Sequence, residues 1–354
     1  MKRLRTSLII LSVLILVAAP SGATPNESKC RATDGVTFQD FAVPTPAARP
    51  LGITVGPDGA LWFTEFWGNK IGRITSDGTV TEFPIPSGSP GSTTSSLPDA
   101  IVTGADGALW FTETRGNKIG RITAAGAVTE FPLPEAGSEP TVITAGPDDA
   151  LWFTERGTVA DPGEKIGRIT TDGVITEFTV PTQDSRPLGI TTGPDRQIWF
   201  TEHAANQVGR LDPKTGVITE FPVPTPGSTP WEMTRGLDGA VWFTEVTGNK
   251  VARITPAGEI TEYPVPSVAP GRTFSAPNVI AKGPGPALFF TEQLTGQIGC
   301  ITFGGEITEY PIPGGGQSAP VGIVEGPEDD TIWFTKWGSA AAPGQKIGRL
   351  TFED

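Results

Sequence analysis

A segment close to Leu-Trp-Phe-Thr-Glu recurs seven times along the chain of 354 residues, and this repeat limits the possible folds more than any other feature. The aromatic pairs begin at Trp62, Trp110, Trp152, Trp199, Trp242, Phe289 and Trp333. They are separated by between 42 and 48 residues, so one unit of about 45 residues is repeated with loops of variable length. A period in this range is typical of a repeat architecture rather than of a set of unrelated domains.

Each unit contains four short runs of β-branched and aromatic residues, separated by pairs such as Asp58-Gly59 and Asp77-Gly78 that favour tight hairpins. Four antiparallel strands per repeat predict an all-β, seven-bladed β-propeller. The N-terminal segment through Phe41 matches the fourth strand of the other repeats, and the chain ends just after a third strand. We therefore predict one domain over residues 31–354, whose last blade has three C-terminal strands and one N-terminal strand, which leaves no open sheet edge.

Residues 1–23 have the pattern of a secretory signal peptide: three basic residues, an apolar stretch and small residues before a cut after Ala23. Residues 24–30 then form a short exported segment. Because no other long apolar run follows, we expect a mature chain without a membrane span, in a secreted or cell-envelope location. Cys30 and Cys300 are the two cysteines, and an exported chain favours a disulfide between them, with two unpaired thiols as the alternative.

The acidic charge restricts the partners. The chain has 26 basic and 39 acidic residues, and loss of the signal's three basic residues leaves 23 against 39, a formal charge of −16. This charge disfavours nucleic acid, anionic lipid and acidic polysaccharide, and it is compatible with metal ions, neutral sugars or cationic peptides. We expect a monomer.

Residues shared by all repeats are expected to build the scaffold. The tryptophan should pack between neighbouring blades, with the glycine of the Lys-Ile-Gly-Arg-Ile strand allowing its ring to approach. Six repeats have a glutamate after Trp-Phe-Thr and the seventh has Lys336. A ring of six carboxylates resembles a metal site, but we favour a charge partner for each on the third strand or in the turn between the second and third strands. The six are Glu65, Glu113, Glu155, Glu202, Glu245 and Glu292.

The loops between blades vary in length, and variable loops on a rigid scaffold are where binding residues are found. Each of these loops ends in a proline, and we expect the next residue to face the mouth of the central channel. These residues are Leu51, Asp99, Thr141, Leu188, Trp231, Asn278 and Val321.

The repeat unit Gly-Pro-Asp-Gly-Ala-Leu-Trp-Phe-Thr-Glu, with Gly-Asn-Lys-Ile-Gly-Arg-Ile and Thr-Glu-Phe-Pro, closely resembles the virginiamycin B (streptogramin) lyases over essentially the whole mature chain. The resemblance implies a seven-bladed propeller that opens cyclic depsipeptides by elimination at an ester, with Mg²⁺ as cofactor and a histidine as base.

At the positions that match the catalytic residues of these lyases, this chain has different residues. Asn278 and Val321 occupy the two histidine positions, Ala319 occupies one glutamate position, and Lys336-Trp337 lies at the other. The single histidine, His203, lies in a loop of the fourth blade, where we expect a partly exposed side chain. The resemblance therefore implies the scaffold more strongly than the activity. We assign no catalytic residue and expect no cofactor, or Mg²⁺ if lyase activity is retained.

Departures from the repeat suggest what replaces that chemistry. Unrepeated aromatic and charged residues fall at loop positions, where tryptophans could stack on sugar rings or peptide side chains, or could instead pack under their own loops. The candidate binding residues are Trp67, Asp99, Glu139, Trp231, Glu232, Arg272, Asn278 and Trp337, with Met233, Phe274 and Asp184 nearby.

Two hypotheses follow. In the first, an exported recognition propeller binds a small molecule, peptide or glycan at the channel mouth through Trp67, Trp231 and Trp337. In the second, a metal held by Asp99, Glu139 or Glu232 supports a rearranged depsipeptide lyase or an ester or lactone hydrolase. A hard cation requires several oxygen ligands within about 2.5 Å of one point, so the two hypotheses predict different geometries at the mouth.

Overall fold

The structure, a computed structural model, describes residues 30–158, 160, 162–338 and 343–353. It contains 28 strands arranged as seven four-stranded antiparallel sheets, which confirms the predicted all-β, seven-bladed propeller. Within the described residues the helical structure is one 3-10 turn, Gly315–Gln317, and no helix there is long and apolar enough to cross a membrane. The predicted signal at residues 1–23, and the segment that follows it up to residue 29, lie outside the described residues.

Strand β1 (Val36–Ala42) precedes the first complete blade. Blades 1 to 3 contain β2 (Pro50–Val55), β3 (Leu61–Glu65), β4 (Lys70–Ile74), β5 (Val80–Pro84), β6 (Pro98–Thr103), β7 (Leu109–Glu113), β8 (Lys118–Ile122), β9 (Val128–Pro132), β10 (Pro140–Ala145), β11 (Leu151–Gly157), β12 (Pro162–Ile169) and β13 (Ile175–Thr179). Blades 4 to 7 contain β14 (Pro187–Thr192), β15 (Ile198–Glu202), β16 (Gln207–Leu211), β17 (Ile218–Pro222), β18 (Pro230–Arg235), β19 (Val241–Glu245), β20 (Lys250–Ile254), β21 (Ile260–Pro264), β22 (Pro277–Lys282), β23 (Ala287–Glu292), β24 (Gln297–Thr302), β25 (Ile307–Pro311), β26 (Pro320–Glu325), β27 (Thr331–Gly338) and β28 (Pro343–Phe352).

The ring closes as the sequence predicts. The seventh sheet has the order β1, β28, β27, β26, so the N-terminal strand is the outer strand of the last blade, with Val36 opposite Phe352 and Ala42 opposite Lys346. The innermost strands of neighbouring blades contact each other all the way round, including β2 with β26. A central channel therefore runs between seven inner strands.

A disulfide reinforces the closure. Cys30 is bonded to Cys300 on β24, with their Cα atoms 5.8 Å apart, so the start of the described chain is tied to blade 6. Next to it, the Tyr310 hydroxyl donates a hydrogen bond of 2.6 Å to the carbonyl of Arg31, and the Arg31 guanidinium pairs with Asp330 of blade 7. The predicted pairing of the two cysteines is thus present in the fold.

The repeated tryptophans pack between blades. Trp62 lies in one buried cluster with Ile101 and Leu109 of the next blade, and its ring stacks on Phe83 at 5.3 Å between centroids. Its Nε1 donates to Asp58 at 3.0 Å, and the same carboxylate accepts a 2.6 Å bond from an arginine of the third strand. This arrangement explains why the Asp of Gly-Pro-Asp-Gly and the Arg of Lys-Ile-Gly-Arg-Ile recur with the tryptophan.

The role predicted for the third-strand glycine was assigned to the wrong ring. A Cβ on Gly72 would lie 2.1 Å from the ring of Phe63, whereas Trp62 approaches Gly56 in the turn between the first two strands. Phe63 and Gly72 are opposite each other in the sheet, so the phenylalanine lies across the glycine. Blade 5 tolerates Ala252 opposite Phe243, both fully buried.

Candidate functional site

A cavity of about 500 Å³ lies at the mouth of the channel, between the inner strands of all seven blades. Its wall includes every residue that follows a loop-ending proline. These are Leu51, Asp99, Thr141, Leu188, Trp231, Asn278 and Val321. One position of the repeat thus contributes six kinds of side chain from seven blades to a single surface.

A ring of threonine hydroxyls holds this part of the backbone. The Thr64 hydroxyl accepts the N–H of Gly52 in its own blade at 2.9 Å and donates to the carbonyl of Asp99 in the next blade at 2.6 Å. The equivalent inter-blade bond occurs in every blade, and Thr335 closes the ring by donating to the carbonyl of Leu51 at 2.9 Å. The invariant threonine therefore fixes the backbone from which each variable side chain extends.

A second variable position was missed by our sequence analysis. The residue directly after the repeated glutamate, or after Lys336, differs in all seven blades, and three of these residues line the cavity: Arg156, Gln293 and Trp337. The signal was available, because complete variation beside an invariant Trp-Phe-Thr segment marks a position the scaffold does not need. The full set is Phe66, Thr114, Arg156, His203, Val246, Gln293 and Trp337.

Asp99 and Glu232 are the carboxyl groups of the cavity wall. They project from inner strands of blades 2 and 5, on far sides of the ring, and each is half-buried. Burial raises the pKa of Asp99 to about 7, opposed by the charge of Arg156 and a hydrogen bond from Thr114. Burial also raises the pKa of Glu232 to about 8, and the negative charge of Asp99 contributes to that rise.

The polar groups around these carboxyls are unevenly partnered. Arg156 Nε donates to Glu139 at 3.2 Å, so the two charges are paired. Arg156 lines the cavity and Glu139 does not. Asn278 is 8% exposed, and its side-chain amide has no hydrogen bond to any described residue. The side chain of Gln293 likewise lines the cavity. The mouth therefore has more hydrogen-bonding capacity than the protein satisfies.

Trp231 forms the apolar part of the wall in blade 5. His203 of blade 4 lies edge-on to its ring, with centroids 5.0 Å apart. His203 is half-buried, its Nδ1 has no hydrogen-bond partner among the described residues, and burial lowers its pKa. His203 thus supports the cavity wall through Trp231. It lies closer to the site than its position in the sequence suggests.

Trp67 and Trp337 form a separate aromatic platform with Arg49. The guanidinium lies over both rings, 5.2 Å from the centroid of Trp67 and 5.0 Å from that of Trp337, and Phe66 packs on Trp337 at 5.3 Å. Trp337 lines the cavity, whereas Trp67 does not and is 43% exposed. The three predicted tryptophans therefore do not share one groove: Trp231 and Trp337 face the cavity, and Trp67 lies beside it.

Arg272 does not join these residues. It lies exposed in the long loop before blade 6, outside the cavity wall. Of the predicted binding residues, the structure brings Asp99, Trp231, Glu232, Asn278 and Trp337 to the cavity, and it places Trp67, Glu139 and Arg272 outside it.

The six repeated glutamates are buried away from this cavity. Lys70 lies on the third strand, where we expected a charge partner for Glu65, but its ammonium binds Glu82 on the fourth strand at 2.6 Å. Neither oxygen of Glu65 has a hydrogen bond among the described residues, so burial, together with the charge of Glu82, raises the pKa of Glu65 to about 8. The third-strand lysine therefore pairs with a second carboxylate, Glu82, and not with Glu65.

The same shift recurs in the other five blades. Burial raises the pKa of Glu202 and of Glu292 to about 8, and of Glu113, Glu155 and Glu245 to about 7. Because each glutamate is held within its own blade, the six carboxyls do not form a metal site. Throughout the described part of the chain, no three His, Cys, Asp or Glu side chains are grouped as metal ligands.

Lys336 breaks the pattern in blade 7. It is 6% exposed, and its ammonium pairs with Asp40 on β1, which also contacts Lys346 at 3.2 Å. Asp40 lies opposite Gly348 as Glu82 lies opposite Gly72, so the ion pair occupies the place of the carboxyl pair in blade 1. The lysine joins the N-terminal strand to the blade it completes.

The four positions that we matched to lyase residues from the sequence offer few oxygen ligands for Mg²⁺. Val321 and Ala319 offer no donor from their side chains, Lys336 is cationic and paired with Asp40, and Asn278 alone presents an oxygen. Hard divalent cations require several oxygen ligands. These residues do not fit such an ion.

Comparison with known proteins identifies the protein family that this chain matches. The model of the virginiamycin B lyase family matches residues 24–212 and 158–354. The virginiamycin B lyase of Bordetella bronchiseptica is 44% identical over 59 residues, which are 17% of this chain and 20% of that protein. That of Nocardia farcinica is 41% identical over 56 residues, 16% of this chain and 20% of the relative. The chain thus aligns with about a fifth of the length of these curated relatives.

Solved structures extend the similarity to the whole fold. A virginiamycin B lyase from Staphylococcus aureus superposes with a TM-score of 0.80 at 40% identity, covering 90% of this chain and all of that one. A streptogramin B lyase gives a TM-score of 0.80 at 36% identity over 92% of this chain and all of that one. A catalytically inactive variant of the staphylococcal enzyme, with quinupristin, is 39% identical at a TM-score of 0.80, covering 90% and 100% of the two chains.

Proposed function

The chain belongs to the virginiamycin B lyase family, and from this premise we propose that it is an exported recognition propeller that binds a peptide or glycan ligand at the mouth of its channel. The observation that carries the proposal is the composition of the cavity wall. Two variable positions of the repeat meet around one space of about 500 Å³, a size suited to a small organic ligand.

The chemistry of the wall supports binding. Trp231 and Trp337 give aromatic surface, while Asp99, Glu232 and Asn278 give polar contacts with unused hydrogen-bonding capacity. Sites for small ligands typically combine an apolar wall with a few polar groups that fix orientation. Tryptophans are also frequent where binding energy is concentrated.

The residues at the matched lyase positions argue against an identical elimination. Neither Asn278 nor Val321 can act as the base that a histidine provides, and the donor set does not fit Mg²⁺. We therefore propose that the scaffold is retained and the activity of the relatives is not.

One observation favours the alternative, a lyase or an ester or lactone hydrolase with a rearranged site. Asp99 and Glu232 have pKa values of about 7 and 8, which suits carboxyl groups that exchange protons near neutral pH. Perturbed carboxyls in a cleft are candidates for catalysis. The test must therefore detect product as well as binding.

Quinupristin, the compound seen with the staphylococcal relative, is a probe for both functions. We expect calorimetry to detect binding, and chromatography after incubation with Mg²⁺ to show no linear product above the metal-free control. Trp231→Ala should weaken binding by roughly tenfold or more, since truncation of a central tryptophan commonly costs 2 kcal/mol or more. Leu237→Ala is the control, because Leu237 lies in the same repeat but is 66% exposed and outside the cavity.

Each outcome separates the two functions. Linear product formed with Mg²⁺ would establish the alternative. Binding that survives Trp231→Ala, or no binding of quinupristin and of a panel of neutral oligosaccharides, would contradict the recognition proposal.

We also propose that the protein acts outside the cytoplasm. The signal-like residues 1–23 motivate this, and the Cys30–Cys300 disulfide supports it because such bonds persist in oxidising compartments. N-terminal sequencing of the protein recovered from the culture medium or cell envelope should give a chain that begins at Thr24. A full-length chain confined to the cytoplasm would contradict the proposal.

A further inference from the structure

We propose that the ligand presents a cationic amine to the channel mouth, and that Asp99 and Glu232 bind it from opposite sides and release a proton as it enters. This inference rests on the proposed recognition function and names the class of ligand for the same cavity. Three features of the cavity support it: carboxyl groups with unfilled acceptor positions, basic residues that are already paired, and an aromatic wall.

The carboxyl groups at the cavity keep acceptor positions that the protein does not fill. Thr114 donates a hydrogen bond to the Asp99 carboxylate, and Glu232 accepts one from the N–H of Met233 at 3.2 Å, whereas an ionised carboxylate offers about four acceptor positions. Asn278 adds an amide oxygen from a side chain that is more than nine-tenths buried and unpartnered. An ammonium group has three donors and no acceptor, which is the complement of this set. Buried polar groups in native proteins are normally paired, so the surplus points to a ligand.

The basic groups nearby are already engaged. Arg156 is the one basic residue among the described residues that line the cavity, and Glu139 pairs with it at 3.2 Å. Lys336 is paired with Asp40 and does not line the cavity. No lysine among the lining residues therefore competes for Asp99 and Glu232.

The aromatic wall suits a cation. Trp231 and Trp337 both line the cavity, and indole faces attract cations. The same kind of contact occurs beside the cavity, where Arg49 lies over Trp67 and Trp337. Trp231 is next to Glu232 in the chain, so a charge and an aromatic ring enter the cavity at the same point of blade 5.

Protonation follows from the geometry. Asp99 faces Arg156, Thr114 and Glu232, while Glu232 faces Asp99 and the backbone of Met233, and each carboxyl is enclosed by the ring. With pKa values raised to about 7 and 8, the pair binds protons near neutral pH when no cation is present. A bound ammonium stabilises both ionised forms, so the protons leave as it binds.

A matched pair of probes tests the inference. Phenethylammonium and 2-phenylethanol have similar shapes and differ in charge. We expect calorimetry at pH 7 to show roughly tenfold tighter binding of the ammonium. Its affinity should rise roughly tenfold from pH 6 to pH 8, with proton release measured in buffers of different ionisation enthalpy, while binding of the alcohol stays constant.

Substitutions of the two carboxyl groups test whether they bind the ammonium. Asp99→Asn and Glu232→Gln should each weaken phenethylammonium binding roughly tenfold and leave 2-phenylethanol binding unchanged. Asp184→Asn is the matched control, because Asp184 is an exposed carboxylate in an inter-blade loop and does not line the cavity. Thermal unfolding of each variant checks that the fold is intact.

The outcomes are distinct from those for the proposed function. An ammonium probe that binds no tighter than the alcohol, or that does not depend on Asp99 and Glu232, overturns this inference. If the alcohol or quinupristin still binds in a manner that depends on Trp231, the recognition function stands without a cationic ligand.

Discussion

The six repeated glutamates and the two carboxyl groups at the channel mouth share raised pKa values but differ in their surroundings. Glu65 and its five equivalents lie within the blades, where the same neighbours recur each time. Asp99 and Glu232 occur once each, on inner strands, and face an enclosed cavity. The shift has one main cause in both sets, burial of the charged form. A raised pKa therefore identifies burial, and only the departure from the repeat identifies a site.

The partners of the two sets sharpen this difference. Beside Glu65, the Glu82 carboxylate is held by Lys70 and by Thr45, so the available cation is engaged and Glu65 is left buried without a hydrogen bond among the described residues. Burial alone would raise the pKa of Glu82, but these hydrogen bonds outweigh it and lower the pKa. Glu155 lines a small cavity of about 150 Å³, where Lys165 is paired with Glu135 and Glu177. At the mouth, by contrast, Asp99 and Glu232 face a cavity of about 500 Å³ that can hold a ligand.

The largest expected effect is a loss of stability as the pH rises. A carboxyl whose folded pKa is raised stabilises the fold below its unfolded pKa, near 4.5, and this contribution is lost as pH rises through the folded value of 7 to 8. Each group contributes at most about 1.4 kcal/mol per pH unit. From pH 6.5 to 9 we expect the six groups to lower stability by about 8 kcal/mol in total, or the Tm by roughly 12 °C.

Calorimetry at constant ionic strength from pH 6.5 to 9 measures this effect. The window excludes the opposing contribution of His203, whose lowered pKa costs stability only as pH falls below its unfolded value, near 6.5. Repeating the scan in 1 M salt should leave the trend in place, since burial rather than exposed charge is the cause. A Tm that stays constant or increases over this range would show that the repeated glutamates are ionised in the fold.

The repeat made most of the fold predictable, and inter-blade geometry limited what could be said about the site. Alternating residues and turn pairs set the strands, and the period set the blade count and closure. The third-strand lysine has two carboxylates within reach, and spacing along the chain does not decide which one it binds. Likewise Arg156, at the end of β11, and His203, in the turn after β15, lie beside the inner strand of a neighbouring blade, a contact that no single repeat specifies.

Blade 7 tests whether the repeated carboxyl environment is a property of the scaffold. Lys336→Met removes the partner of Asp40, which is partly exposed and keeps Lys346, so we expect a loss of about 2 kcal/mol, less than for a fully buried pair. Lys336→Glu instead recreates the arrangement of Glu65, Lys70 and Glu82, and should cost less than Lys336→Met at pH 6.

The pH dependence distinguishes these variants. Lys336→Glu adds a seventh buried carboxyl, so its Tm should fall more steeply between pH 6.5 and 9 than that of the parent, by at most about 1.4 kcal/mol per pH unit. Lys336→Met should follow the parent curve at a lower Tm. Equal pH slopes for all three proteins would mean that the environment around Glu65 is not reproduced in blade 7.

The smallest expected effect separates the two carboxyl sets directly. Glu65→Gln mimics the protonated side chain at every pH, so its gain in Tm over the parent should be larger at pH 9 than at pH 6, by the equivalent of about 2 kcal/mol. Because Glu65 does not line the cavity, phenethylammonium should bind this variant as it binds the parent. Asp99→Asn should instead lose that binding, whatever its Tm. If Glu65→Gln weakened binding as much as Asp99→Asn, the repeated and unrepeated carboxyls would belong to one coupled site, and repetition would no longer separate scaffold from function.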